Sequence, residues 1–206
     1  MKAKIFCFLL VLCSGLQAQK KRHNQVLASN IDLIQIDAAN CFIVEVNTVV
    51  GNEINVEAEM EGEYSQDLDL EVVTNGTTLL IKAGFTPNFE NPNDKLSAHK
   101  VISILLRLTM PLHKKVEVFG TNSRVNIEGE YKELNITLSD GACLLKNVQA
   151  KANVKTQSGS VKVISNAANV KAISKYGTVS ANPIPIGHST FKVQTVTGNI
   201  DLSKTE

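Results

Sequence analysis

From Val116 onward, apolar and polar residues alternate in short runs, and the runs keep a beat. Ser123, Gly141, Gly159 and Gly177 stand 18 residues apart, and Gly198 follows after 21. Two residues past these markers lie Val125, Cys143, Val161, Val179 and Ile200; two further on lie Ile127, Leu145, Val163, Ala181 and Leu202. Alternation with period two marks a strand with one buried face. A repeat near 20 residues marks units that bury that face only by stacking, as in a solenoid. Each unit reads as a strand, a Gly- or Ser-bearing bend and a second strand. Units are expected at 116–127, 134–145, 153–163, 170–181 and 191–202. Glycine at the bends is expected to supply backbone angles that other residues resist. Five coils stacked in chain order, about 4.8 Å apart, would stand on the order of 20 Å tall. The three extra residues of the last coil are expected to bulge as a loop at 182–187. No segment sustains a 3.6-residue period, so little helix is expected.

The chain before the repeat also reads as strands. Phe42, Val44 and Val46 alternate with Ile43 and Glu45. After a turn at Gly51-Asn52, Ile54, Val56 and Ala58 share one side while Asn55, Glu57 and Glu59 share the other. Asn75-Gly76 is a strong hairpin signal, because both residues tolerate positive φ. It separates strands expected at 68–73 and 79–83. Gly84 to Lys100 carries Pro87, Pro92 and four Asn or Asp residues, and reads as a loop between two halves. A strand over 101–110 follows, with Pro111 ending it. Polar residues from Lys20 to Ser29 read as a flexible arm. The expected organisation is therefore 1–18 signal peptide, 19–30 arm, 31–100 hairpin-rich portion and loop, and 101–206 coils.

The signal peptide rests on Lys2 and Lys4, the apolar run Ile5 to Leu12, and a small residue, Ala18, at the expected cut. That run is too short to span a bilayer. The mature chain would begin near Gln19. Cys13 raises lipidation as an alternative, against which Leu12 stands where a small residue is expected. The cysteines left after cleavage are Cys41 and Cys143, which could pair after export. Against pairing, Cys143 occupies the repeat position of Val125 and Val161, which suits a small core residue.

The 206-residue chain has a formal net charge of +1, and this conceals an asymmetry. From His23 to Ile81 there are eleven carboxylates and no Lys or Arg; from Lys82 onward, sixteen Lys or Arg face nine acids. The bland reading is two solvated faces; the sharper one is head-to-tail attraction between molecules. Basic residues occur singly along the repeat and without aromatics, which argues against nucleic acid.

Catalytic signatures are missing from the residue pattern. His23, His99, His113 and His188 are scattered, without metal-ligand spacing. Glu57, Glu59, Glu61 and Glu63 line one side of an extended segment; this suits either a solvated strand face or a calcium site. The serines at the bends lie outside any Gly-x-Ser-x-Gly elbow. A hexapeptide acyltransferase pattern holds at Val161, Ala167, Ile173 and Val179 but fails in earlier coils. Asp140 and Asp201 are too isolated for a polysaccharide-cleaving β-helix. No enzyme, metal or cofactor is expected.

Three features carry a resemblance: Phe42-Ile-Val-Glu-Val46; Leu79-Leu-Ile-Lys82 after its turn; and Leu108-Thr-Met-Pro111 leading into Val116-Glu-Val-Phe-Gly120 and the coils. Together, over about 31–202, they resemble the bacterial "putative auto-transporter adhesin, head GIN domain" family. Phe119-Gly-Thr-Asn122 departs from the Ser-Gly bends usual there. The resemblance implies an exported, right-handed parallel β-solenoid with a strand-rich N-terminal portion, and it implies no reaction or cofactor. The expected function is a non-enzymatic, adhesin-like binding or scaffolding module of the cell envelope. It would lie in the periplasm, at the outer membrane or on the surface. Its partner would be a glycan, an envelope protein or another copy of itself. The alternative is an envelope-stress or sensing component that contacts a membrane partner. The loop side of the coils is the expected binding surface, with Asn122, Lys155, Lys175 and Tyr176 as its candidates.

Overall fold

The computed structural model describes residues 19–90 and 102–205. The signal-peptide and lipidation readings, and His99, lie outside the described residues. The chain is all-β. Fifteen strands join one large mixed sheet that does not close, and no α-helix occurs among the described residues. The strands are β1 (Gln19–Leu27), β2 (Leu33–Asp37), β3 (Ile43–Val49), β4 (Glu53–Gly62), β5 (Leu68–Asn75), β6 (Thr78–Phe85), β7 (Ile102–Pro111), β8 (Lys115–Gly120), β9 (Arg124–Leu138), β10 (Cys143–Thr156), β11 (Val161–Ile164), β12 (Asn169–Ser174), β13 (Val179–Ala181), β14 (Thr190–Thr195) and β15 (Ile200–Ser203).

The long strands β9 and β10 each serve two ladders, so the sheet has two walls. One wall runs β5, β6, β2, β8, the second half of β9, the second half of β10, β14, β12. The other runs β1, β4, β7, β3, the first half of β9, the first half of β10, β11, β15, β13. Inward side chains of both walls enter one buried cluster. Ile34, Val116, Leu134, Ala152 and Phe191 follow one another across the first wall; Val44, Val125, Cys143, Val161 and Ile200 do so across the second. The predicted register holds: Leu145 is fully buried, and Cys143 is a buried free thiol. Cys41 is likewise buried and free, so the two do not pair.

Two expectations about stacking need correction. The repeat does not begin near Val116. Leu33–Val49 is itself such a unit, seated between β6/β7 and β8/β9, so the same sheet crosses the boundary expected near residue 100. Its bend, Ala38 to Cys41, has no glycine, which hid it from a search keyed to glycine. At the other end, the last unit is not outermost. Strands β14 and β15 sit inside β12 and β13. The longer connection at 182–189 carries the chain back inward instead of bulging from the last coil. Seven tiers result, from β6/β7 to β12/β13, standing about 30 Å tall at the usual strand spacing.

The glycine beat has a different cause from the one expected. None of Gly141, Gly159, Gly177 and Gly198 has positive φ. They are glycine because adjacent tiers touch there, backbone on backbone. A Cβ on Gly159 would lie 1.7 Å from the Gly141 carbonyl oxygen, and one on Gly198 would lie 2.1 Å from that of Gly159. Ser123 ends this row, buried, with its hydroxyl donating to Ala38 O at 2.5 Å.

The two ends of the stack differ. At the first, β4 adds antiparallel to β7, β1 adds to β4, and β5 adds to β6. Residues 19–27 are therefore an ordered strand, not the flexible arm expected. Their alternation is hidden because all but Val26 and Leu27 are polar, yet nine backbone pairs fix them against β4. Lys20 Nζ donates to the carbonyls of Gln66 and Leu68, and Arg22 Nε lies 2.9 Å from Asp69 Oδ1. These contacts tie β1 to β5 over the core. At the far end, β12 and β13 each pair on one side only among the described residues. Val170 and Ala172, whose counterparts in inner tiers are buried, are only half-buried there, and Val179 is 43% exposed.

Candidate binding face

Each tier exposes the outward half of its alternation on the first wall, mostly polar residues with Leu80, Phe119 and Ile173 among them. Parallel pairing in register aligns these side chains in rows. The outward residues of β10, β14 and β12 make three rows: Lys151, Thr190 and Asn169; Asn153, Lys192 and Lys171; Lys155, Gln194 and Ile173. The nine positions hold four lysines, three amides, a threonine and an isoleucine, and no carboxylate. All four lysines are exposed. None of them makes an ion pair among the described residues, whereas Lys162 on the opposite wall lies 3.7 Å from Asp201. Lys192 and Lys171 stand directly opposite each other, an arrangement that repels. At the centre, Asn153 Oδ1 is buried and accepts no hydrogen bond. A buried acceptor without a donor costs free energy.

A groove of about 280 Å³ adjoins this face at the corner of the stack, lined by Lys151, Thr190, Gln149, His113, Glu130 and His188 among others. Beside it lies a second groove of about 420 Å³, between Asn147 and Gln149 on one side and Ile186 to Ser189 on the other. Both lie where β10 passes the connection at 182–189, and their linings mix polar and apolar groups. Among the described residues, no group of three or more His, Cys, Asp or Glu is placed to hold a metal ion.

The expected site residues do not converge. Lys155 lies on the lysine face. Lys175 and Tyr176 form the bend of the outermost tier, with Lys175 Nζ 4.9 Å from the Tyr176 ring centre. Asn122 is exposed on the same column of bends but four tiers away, about 19 Å at the usual spacing. Lys151, Asn153, Lys171, Lys192 and Gln194 escaped the reading of the sequence. Their signal was the outward alternate positions of three units, which only the ladder register brings together. The glutamate row is also accounted for. Glu59 takes Lys21 and Arg107 at 3.1 Å each, Glu57 lies 3.5 Å from His23, and Gln19 donates to Glu61. Hydrogen bonding from Lys21 leads the effects that hold the Glu59 carboxyl below its ordinary range. No helix among the described residues is long and apolar enough to cross a membrane.

No family model and no curated protein matches the chain. Solved structures do. A putative cell adhesion protein from Clostridium sporogenes aligns over 91% of this chain and 100% of its own, at 13% identity and a TM-score of 0.61. This likeness shows a shared fold. Putative adhesins from Bacteroides fragilis (12% identity, 90% and 97% covered, TM-score 0.39) and Parabacteroides merdae (13%, 91% and 97%, 0.34) are more distant. The resemblance to the GIN-domain family is therefore matched by no family model.

Proposed function

We propose that the chain is an exported, adhesin-like binding or scaffolding module of the bacterial cell envelope, built as a right-handed parallel β-solenoid and working without catalysis. The observation that carries this reading is the outer face of β10, β14 and β12: an in-register array of amides and of lysines that make no ion pair among the described residues. Such an array suits recognition of an extended partner. Its glycan or envelope-protein partner would lie along the rows. The experiment has two parts, fractionation with sequencing of the mature terminus and surface attachment of a deletion strain. Export and impaired attachment are expected. A chain retained in the cytoplasm, or wild-type attachment without the gene, would overturn the proposal.

A second reading, an envelope-stress or sensing component that contacts a membrane partner, draws on the uncovered tier, where Ile173 and Val179 are 46% and 43% exposed. A regulator encoded beside the gene would favour it; surface-glycan genes would favour adhesion.

A further inference from the structure

We infer that the outer face of β10, β14 and β12 binds a polysaccharide bearing carboxylate or sulfate groups. This rests on the binding-module reading and names the ligand class of that face. Lys151, Lys155, Lys171 and Lys192 sit on three adjacent strands with no acid among the nine outward positions. Lys171 and Lys192, directly opposite each other, repel until an anion enters between them, and Lys151 and Lys155 on β10 extend the same positive strip, with Glu133 of β9 opposite Lys151 at its edge. Repeated charges along a chain answer repeated charges along the rows better than a single small anion does.

The amides decide which polyanion fits. Asn153 stands in the middle of the lysines with a shielded acceptor that receives no hydrogen bond. Among the described residues Gln194, in the next row, makes no side-chain hydrogen bond, and Asn169 Nδ2 donates to Gly187 O at 3.2 Å while its acceptor oxygen takes none. Acceptor oxygens interspersed with ammonium groups suit a ligand that carries hydroxyl donors beside its anions, as an acidic sugar does. A nucleic acid would call for stacking aromatics, and the nine positions include none. A membrane surface would reward the charges and leave the Asn153 acceptor unanswered.

The test uses the exported full chain with heparin, polygalacturonate, uncharged dextran, phosphatidylglycerol vesicles and single-stranded DNA as probes. Heparin and polygalacturonate should bind, with affinity falling as salt is raised to ~0.5 M, and dextran should not. K151Q/K155Q/K171Q/K192Q should lose tenfold or more; K146Q/K162Q, on the opposite wall, should change binding little. N153A should weaken polysaccharide binding severalfold with the salt dependence unchanged, because it removes an acceptor and no charge. The quadruple variant relieves repulsion, so its unfolding midpoint should not fall. Undiminished binding by it, tighter binding to vesicles or DNA, or no polysaccharide binding would overturn the inference. If no polysaccharide binds while the deletion strain still fails to attach, the ligand class alone is wrong. If attachment also persists, the binding-module reading falls with it.

Discussion

Gly159→Ala tests the stacking directly. The added Cβ would meet Gly141 O at 1.7 Å and Gly141 C at 2.7 Å, where ordinary contact begins near 3.4 Å. The clash is with backbone, so no rotamer change relieves it. The two tiers must part by ~1.5 Å at the bend, since packed interiors have no slack to absorb it. Ser158 N donates to Ser139 O and Cys143 N to Ser160 O, both at 2.9 Å, across this gap. Parting the tiers weakens both bonds, at about 1 kcal/mol each. Overpacking adds about 1–3 kcal/mol. The lower unfolded-state entropy of alanine returns about 0.4–1 kcal/mol. A net loss of about 2–4 kcal/mol follows. Urea unfolding followed by circular dichroism measures it, with Gly51→Ala as control. A Cβ on Gly51 meets nothing within 4 Å and its φ is not positive, so that variant should be neutral or slightly stabilising. A Gly159→Ala loss below about 0.5 kcal/mol, or an equal loss in Gly51→Ala, would refute the reasoning.

Leu145→Ala should cost about 2–5 kcal/mol in the same assay, because the side chain is fully buried between Ile127 and Val163 of adjacent tiers. Burial pushes the Cys41 and Cys143 thiols up to about 12, so the native protein starting at Gln19 should resist iodoacetamide at pH 8 and take up two equivalents once denatured. Acid should loosen the capped end. Arg22 leads the effects that hold the Asp69 carboxyl below its ordinary 3.8, and Lys21 those that hold Glu59 below 4.5. Depressed carboxylates contribute stability that is fully present above those ordinary values and lost as pH falls through the lower folded ones. Amide exchange in β1 should therefore accelerate at the acid end while exchange in β10 does not; uniform acceleration would contradict this.

How much of this was legible follows from what each signal encodes. The inward alternation around Val125, Cys143 and Val161 reports burial, and burial is a property of single positions, so the register of β9, β10 and β11 could be read directly. The glycine spacing was equally visible, but its cause was not. Close tier contact and positive φ both demand glycine, and only the absence of positive φ at Gly141 and Gly159 separates them. Tier order was hidden for a third reason. Units of one length with alike faces can pair in several orders, and the longer connection at 182–189 permits an insertion without requiring it. β1 was missed because it adds to a sheet edge through backbone and charge pairs, which leave no hydrophobic trace in Gln19 to Gln25.

The lysine face belongs to the same class of hidden feature, and this bears on how it arose. Lys151, Lys171 and Lys192 lie about twenty residues apart along the chain, where each reads as an ordinary solvated strand residue. A ladder converts that spacing into adjacency, so a residue type repeated once per unit becomes a row. Inserting β14 between β10 and β12 keeps Lys192 beside Lys171, as chain-order stacking also would, and decides only that Lys192 is the one that adjoins Asn153. The topology thus concentrates charge toward the uncovered end. Segments 161–205 carry five lysines and one aspartate, whereas β1, β4, β5 and the turn joining β4 to β5 carry three cations and eight carboxylates. The carboxylates beside β1 are engaged by its own cations, whereas the lysines of the binding face make no ion pair among the described residues. A like-charged cluster is kept against its own repulsion where an outside anion answers it. For that reason the lysine face, and not the acidic cap, is the surface on which the function of this fold should be sought.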